Sequence, residues 1–135
     1  MPPTTSRDFQ KAAAQRLTTA KTLRREKLNL DAQYMGGYTV ECSLKALILE
    51  KTPKPEKDDT LKKITRGGHM HNPEVLRGEL QNLGVKFPLE LAKRLRRLKW
   101  TTDLRYETRR RDTGETIGFL KTAEAIYDWV EVQLS

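Results

Sequence analysis

The chain has 135 residues, 36% of them apolar and 33% charged, with a formal net charge of +8. That length suits a single domain over residues 1–135 with one core, and the composition gives no reason to expect wholesale disorder. The longest strongly apolar run, Ala46-Leu47-Ile48-Leu49, is far short of the roughly 20 residues that cross a bilayer. Met1 to Ser6 holds no apolar secretion core, so no export signal and no membrane association are expected. A lone cysteine, Cys42, has no partner within the chain, which fits a reducing, cytoplasmic setting.

The first helix is expected over about Arg7 to Leu28. Phe9, Ala13, Leu17, Ala20, Leu23 and Leu28 recur at three- and four-residue steps, and Thr5 with Asp8 resembles an acidic capping box. Asn29-Leu30-Asp31 reads as a short break with Asp31 as the next N-cap. The second helix, about Ala32 to Lys51, has scarcely any polar face and should lie at the centre of the fold. Gly36-Gly37 inside it costs about 1 kcal/mol per glycine against alanine. The close approach of another helix, within the chain or across a dimer axis, would offset that cost. Glu41 and Lys45 stand four residues apart on the same helix and can pair.

From Thr52 to Asn72 the pattern lapses. Pro53, Pro55, Asp58-Asp59 and Gly67-Gly68 predict a flexible loop over about residues 52–72, with at most one helical turn near Thr60–Thr65. Asn72 then caps a third helix that opens on Pro73 and ends before Gly84. A fourth runs from about Pro88 to Lys99, and a last from about Thr113 to Leu134. No alternating run predicts a strand. The fold class is therefore all-α, an antiparallel bundle of four to five helices.

Charge is unevenly spread. Lys93, Arg94, Arg96, Arg97, Lys99, Arg105, Arg109, Arg110 and Arg111 crowd one stretch against only Asp103 and Glu107. In the last helix Lys121 faces Glu115, Glu124, Asp128 and Glu131. A basic stretch of this kind favours an anionic partner such as nucleic acid, although a solvated face without a ligand has the same composition. Arg105-Tyr106 sets a guanidinium fork beside an aromatic face, a combination that suits a nucleotide or an unpaired base. Glu41, a carboxylate on an apolar helix, needs a partner: Lys45, an arginine of another helix, or a cleft shared with His71 and Arg105. Trp100, Trp129, Tyr34, Tyr38 and Tyr127 fall on or beside apolar stripes and are expected in the core. His69-x-His71 lacks a third metal ligand nearby, so no metal and no cofactor are expected.

Tyr34-Met35-Gly36-Gly37-Tyr38-Thr39-Val40-Glu41-Cys42-Ser43-Leu44-Lys45-Ala46, preceded by Arg16-Leu17, Ala20 and Leu23, resembles the opening helix pair of HEPN (higher eukaryotes and prokaryotes nucleotide-binding) domains. His71-Asn72 is similar to a histidine–aspartate/asparagine–leucine element of one branch, with Pro73 in place of the leucine. Trp100, Arg105-Tyr106 and Tyr127-Asp128-Trp129-Val130 resemble that branch's closing segment. The resemblance implies a helical bundle, a homodimer, and a nucleotide or RNA as ligand, with Glu41, Lys45, His71, Asn72, Arg105 and Tyr106 as candidate binding residues. It further implies a setting in toxin–antitoxin or defence systems, often beside a small nucleotidyltransferase. Two other readings stand beside this one.

In the first, Arg66 and His71, with four residues between them, supply the arginine–histidine pair of a metal-independent ribonuclease. The histidine would take a ribose hydroxyl proton while the arginine steadies phosphate charge. Gly67 stands where that motif usually has a polar residue, and the match precedes the third helix rather than opening a late one. In the second, the chain is a non-catalytic interaction partner of a nucleotidyltransferase.

Overall fold

A computed structural model describes residues 2–66 and 68–135. Among them the fold is all-helical, with six α-helices: α1 (Ser6–Arg25), α2 (Asn29–Lys51), α3 (Lys57–Thr65), α4 (Pro73–Asn82), α5 (Leu89–Leu98) and α6 (Thr113–Leu134). Short 3₁₀ turns occupy Lys54–Glu56, Gly68–His71 and Thr102–Tyr106.

α1 starts where its cap predicts. Thr5 Oγ1 accepts from the Asp8 backbone N–H at 3.1 Å, and the Asp8 carboxylate accepts from the backbone and hydroxyl of Thr4. Those hydrogen bonds hold the Asp8 carboxyl below its ordinary range. The helix ends three residues earlier than expected, on Lys27 in the left-handed region at φ 62°. There Leu28 N–H donates to Leu23 O and Lys27 N–H to Arg24 O, the two bonds of a Schellman ending. The break therefore lies at Glu26–Leu28. Asn29, expected inside the break, opens α2, and its side chain donates to Arg111 O and Thr113 Oγ1 at 3.1 Å each. Asp31 lies in the first turn of α2 instead of capping it.

α2 is the central helix, as its lack of a polar face implies. Val40, Leu44, Ala46 and Leu47 are fully buried on it. α1 packs antiparallel to α2 across the Glu26–Leu28 turn. α6 runs in the same direction as α2: Gln33 donates to Thr116 Oγ1 near the start of both, and Leu44, Leu47, Ile126 and Val130 share a core further along. α1 is thus antiparallel to α6 as well, with Gln10 donating to Glu131 at 2.9 Å. α4 covers the second half of α2 with Leu76 and Leu80, and α5 adds Leu95.

The segment 52–72, expected as a patternless loop, holds α3. Its prolines precede the helix and shape only the 3₁₀ turn that leads into it. Asp58 and Asp59 sit in the first turn, and Lys62 and Lys63 in the last, which complements the helix dipole. Ile64 is buried in the main core. These residues look like loop chemistry until their positions relative to the helix ends are known.

The glycine pair meets close neighbours within the chain. A Cβ on Gly36 would lie 2.6 Å from Leu120 Cδ2, and one on Gly37 would lie 2.0 Å from the Trp100 indole. Trp100 reaches that position because Lys99, at the end of α5, turns the chain through the left-handed region at φ 48°. Gly78 has nothing within 4 Å of the same position. Gly37→Ala should therefore lower stability by about 1–3 kcal/mol or more through overpacking. Gly78→Ala should raise it by about 0.5–1 kcal/mol. Urea denaturation of both variants checks the contrast, and equal effects would contradict the close approach at Gly37.

Candidate functional site

Glu41 and Lys45 face the same side of α2 and are both buried, at 5% and 4% exposure. Lys45 Nζ donates to Glu41 Oε2 at 2.9 Å. The other carboxylate oxygen, Oε1, stands 2.9 Å from His71 Nδ1. A carboxylate only accepts, so His71 carries its proton on Nδ1 in this contact. The His71 side chain is 42% exposed. A chain of polar contacts thus runs from the interior of α2 to the surface.

The backbone holds His71 in place. Asn72 N–H donates to His69 O, closing the 3₁₀ turn, and Asn72 Oδ1 accepts from Glu74 N–H at 2.9 Å to cap α4. Next to His71 lies a cavity of about 220 Å³ lined by His69, His71, Asn72, Trp100, Thr101 and Thr102. Larger grooves occur along Pro2–Arg16 (about 450 Å³) and around Arg77–Phe87 (about 460 Å³). Neither is lined by a side chain bonded to a buried charged group, as His71 is to Glu41. The smaller cavity is the stronger candidate, because convergent polar groups mark a binding site better than volume does.

Trp100 joins this cavity to an aromatic cluster. Its ring lies 5.0 Å from Tyr38 and 6.3 Å from Tyr34, centroid to centroid. The Tyr34 and Tyr38 hydroxyls are 3.1 Å apart. Burial above all, then the Tyr34 hydroxyl and the nearby Glu41 charge, push the Tyr38 hydroxyl well above its ordinary range, while Arg105 opposes the shift. Arg105 itself is raised by its interaction with the Tyr34 hydroxyl and then by Tyr106. Its guanidinium sits 4.8 Å from the centre of the Tyr106 ring, within cation–π range. Tyr106 is 73% exposed. One short segment, Trp100–Tyr106, therefore supplies a cavity wall and an exposed arginine–tyrosine pair.

Of the residues singled out from the sequence, Glu41, Lys45 and His71 come together directly, with Asn72 beside them. Arg105 is not bonded to Glu41; Tyr34 and Tyr38 stand between. Arg66 is exposed just beyond α3 and does not line the cavity. Gly67 lies outside the described residues. The basic stretch is partly engaged from within: Arg111 pairs with Glu107 at 2.5 Å and Glu115 at 3.5 Å, Lys93 pairs with Glu90 at 3.7 Å, and Arg94, its charge unpaired by this bond, donates to the Thr122 hydroxyl. Arg96, Arg97, Lys99, Arg109 and Arg110 are exposed. Among the described residues no three His, Cys, Asp or Glu side chains gather as metal ligands.

Sequence reasoning missed Thr101 and Thr102. The available signal was Thr101-Thr102-Asp103, in which Thr101 Oγ1 accepts from Asp103 N–H at 3.3 Å and caps the 3₁₀ turn.

The model of the HEPN domain family matches residues 6–133, nearly the whole chain. The chain belongs to the HEPN family, as its second-helix motif suggests. No curated protein and no solved structure matches it. No helix among the described residues is long and apolar enough to cross a membrane.

Cys42, next to Glu41, has its thiol pushed up from 9.0 to about 11, chiefly by burial and then by the Glu41 charge. A thiol raised in the folded state contributes stability that is full below its unfolded value and is lost as pH rises through the folded one. Stability to urea should therefore fall between pH 9 and about 11, and Cys42→Ala should make that fall shallower. Parallel profiles for the two proteins would contradict it.

Proposed function

We propose that this HEPN protein binds a nucleotide, free or as part of an unpaired stretch of RNA, at the cavity beside His71. The observation that carries this reading is the Trp100–Tyr106 segment. It lines a polar cavity of about 220 Å³ at one end and presents Arg105 stacked on the exposed Tyr106 at the other. An aromatic face accepts any base, and an arginine fork grips phosphate. The exposed Arg96, Arg97, Lys99, Arg109 and Arg110 flank the segment in sequence and supply long-range attraction. Family membership supports two further proposals: a homodimer, and association with a small nucleotidyltransferase in a toxin–antitoxin or defence setting.

A second reading, metal-independent ribonuclease activity through Arg66 and His71, draws support from one contact. A histidine whose Nδ1–H is held by a carboxylate has Nε2 free to act as a base. The exposed position of Arg66, away from the cavity residues, gives no matching support for its partner.

Fluorescence anisotropy with a labelled mixed-sequence ribo-oligonucleotide tests both readings when run in excess chelator. Binding should weaken steeply with salt, since each neutralised phosphate releases counterion. Tyr106→Ala should weaken it about 5- to 100-fold, the range for loss of one stacked base. Arg111→Ala should have little effect, because Arg111 is already paired. Absence of binding at low salt would overturn the proposal. Cleavage that His71→Ala abolishes would establish the ribonuclease reading in its place.

A further inference from the structure

We propose that the buried Lys45–Glu41 pair is a positioning device that keeps the His71 proton on Nδ1 and leaves Nε2 free to accept a hydrogen bond from a donor group of the bound nucleotide. This rests on the binding site proposed above and assigns the two α2 residues a role in it.

Energetics give the first reason. Taking two charges out of water costs several kcal/mol per ion, and well-packed apolar residues in place of such a pair are often as stabilising or more so. The neighbouring buried positions of α2, Thr39, Val40, Ser43 and Leu44, hold only uncharged side chains. Helix packing alone therefore gives no reason for a carboxylate and an ammonium here.

Geometry gives the second. Both oxygens of Glu41 are used, Oε2 by Lys45 and Oε1 by His71, each at 2.9 Å. Lys45 balances the carboxylate charge, so Glu41 serves His71 as an oriented acceptor. The other buried polar pair on α2, Gln33 with Thr116, joins two helices and has both members buried. The Glu41 chain differs in ending on a half-exposed imidazole. That imidazole lines a cavity, and its backbone is tied on both sides by the His69–Asn72 turn and the α4 cap. With Nδ1 occupied, Nε2 is the only ring nitrogen left for a ligand. A hydrogen bond formed there selects a donor, such as an exocyclic amine, a ring N–H or a ribose hydroxyl, over an acceptor at the same place.

The test reads the tautomer directly. In ¹⁵N-labelled wild-type protein, at a pH where His71 is neutral, its Nδ1 should give the resonance of a protonated ring nitrogen and its Nε2 that of an unprotonated one. In Glu41→Gln the amide can donate to Nδ1, so the proton should move to Nε2. Affinity for the labelled ribo-oligonucleotide should then fall about tenfold, the equivalent of one hydrogen bond. A second variant, Glu41→Leu with Lys45→Met, separates positioning from structure. It should keep wild-type stability to urea, lose the fixed tautomer and bind as weakly as Glu41→Gln.

Wild-type affinity in a folded variant whose tautomer has changed would overturn the proposal. So would a wild-type His71 that carries its neutral proton on Nε2. If wild type binds the oligonucleotide while its tautomer is not fixed, this inference fails and the binding site stands. If the tautomer is fixed and nothing binds, the binding site fails and the inference falls with it.

Discussion

The fold turns on the contact between the Trp100 indole and the bare backbone of Gly37. α2 can be crowded on every side only because two consecutive residues on it have no side chain. Phe119 and Leu120 of α6 close over Gly36, and the indole closes over Gly37. The second contact has the wider consequence. Trp100 follows α5 directly, so seating it on α2 draws Thr101–Tyr106 across the bundle to the turn that carries His71. The cavity walls come from two segments about 30 residues apart in sequence, and this packing contact unites them. Glycine is expensive within a helix, and here its cost is offset by the site it allows to form.

Electrostatics shape the site at two depths. In the interior, Lys45 and Glu41 cancel each other's charge and leave one oriented oxygen for His71. At the surface not all nine cations of the basic stretch are available to a ligand, because Arg111 and Lys93 pair with carboxylates and Arg94 is bonded to Thr122. What is left is a smaller group of exposed cations that flank in sequence the segment lining the cavity, whose walls are two histidines, Asn72, Trp100 and the residues Thr101 and Thr102. That arrangement suits a ligand with a charged backbone and a polar, uncharged recognition element. A nucleotide has both.

Much of this was legible in the sequence, and the failures have physical reasons. The central position of α2 follows from its lack of a polar face, and the need for a close approach at Gly36-Gly37 follows from helix propensity. The identity of the approaching groups does not, because Trp100 arrives through a left-handed Lys99 that no local preference for glycine marks. The same blindness misplaced the α1–α2 break. Lys27 adopts the conformation that glycine usually signals, so Asn29 and Asp31 looked like the better boundary. α3 is hidden for another reason: prolines and aspartates commonly break helices, but here the prolines precede the helix and the aspartates suit its first turn. The pairing of Glu41 with Lys45 could be read from their spacing, but the third member, His71, is 30 residues away and depends on tertiary packing. Thr101 and Thr102 carry no motif strong enough to stand out before Trp100 is seated.

The central claim is that the surface formed by the 68–72 turn and the Trp100–Tyr106 segment is where a nucleotide or unpaired RNA docks. The most direct measurement is an amide NMR titration of the protein with a short single-stranded ribo-oligonucleotide. The account predicts that the perturbed amides cluster at residues 69–72 and 100–106, with weaker shifts along Arg96–Lys99 and Arg109–Arg110. Shifts confined to the Pro2–Arg16 groove, or shifts that leave both segments unchanged at saturation, would contradict it.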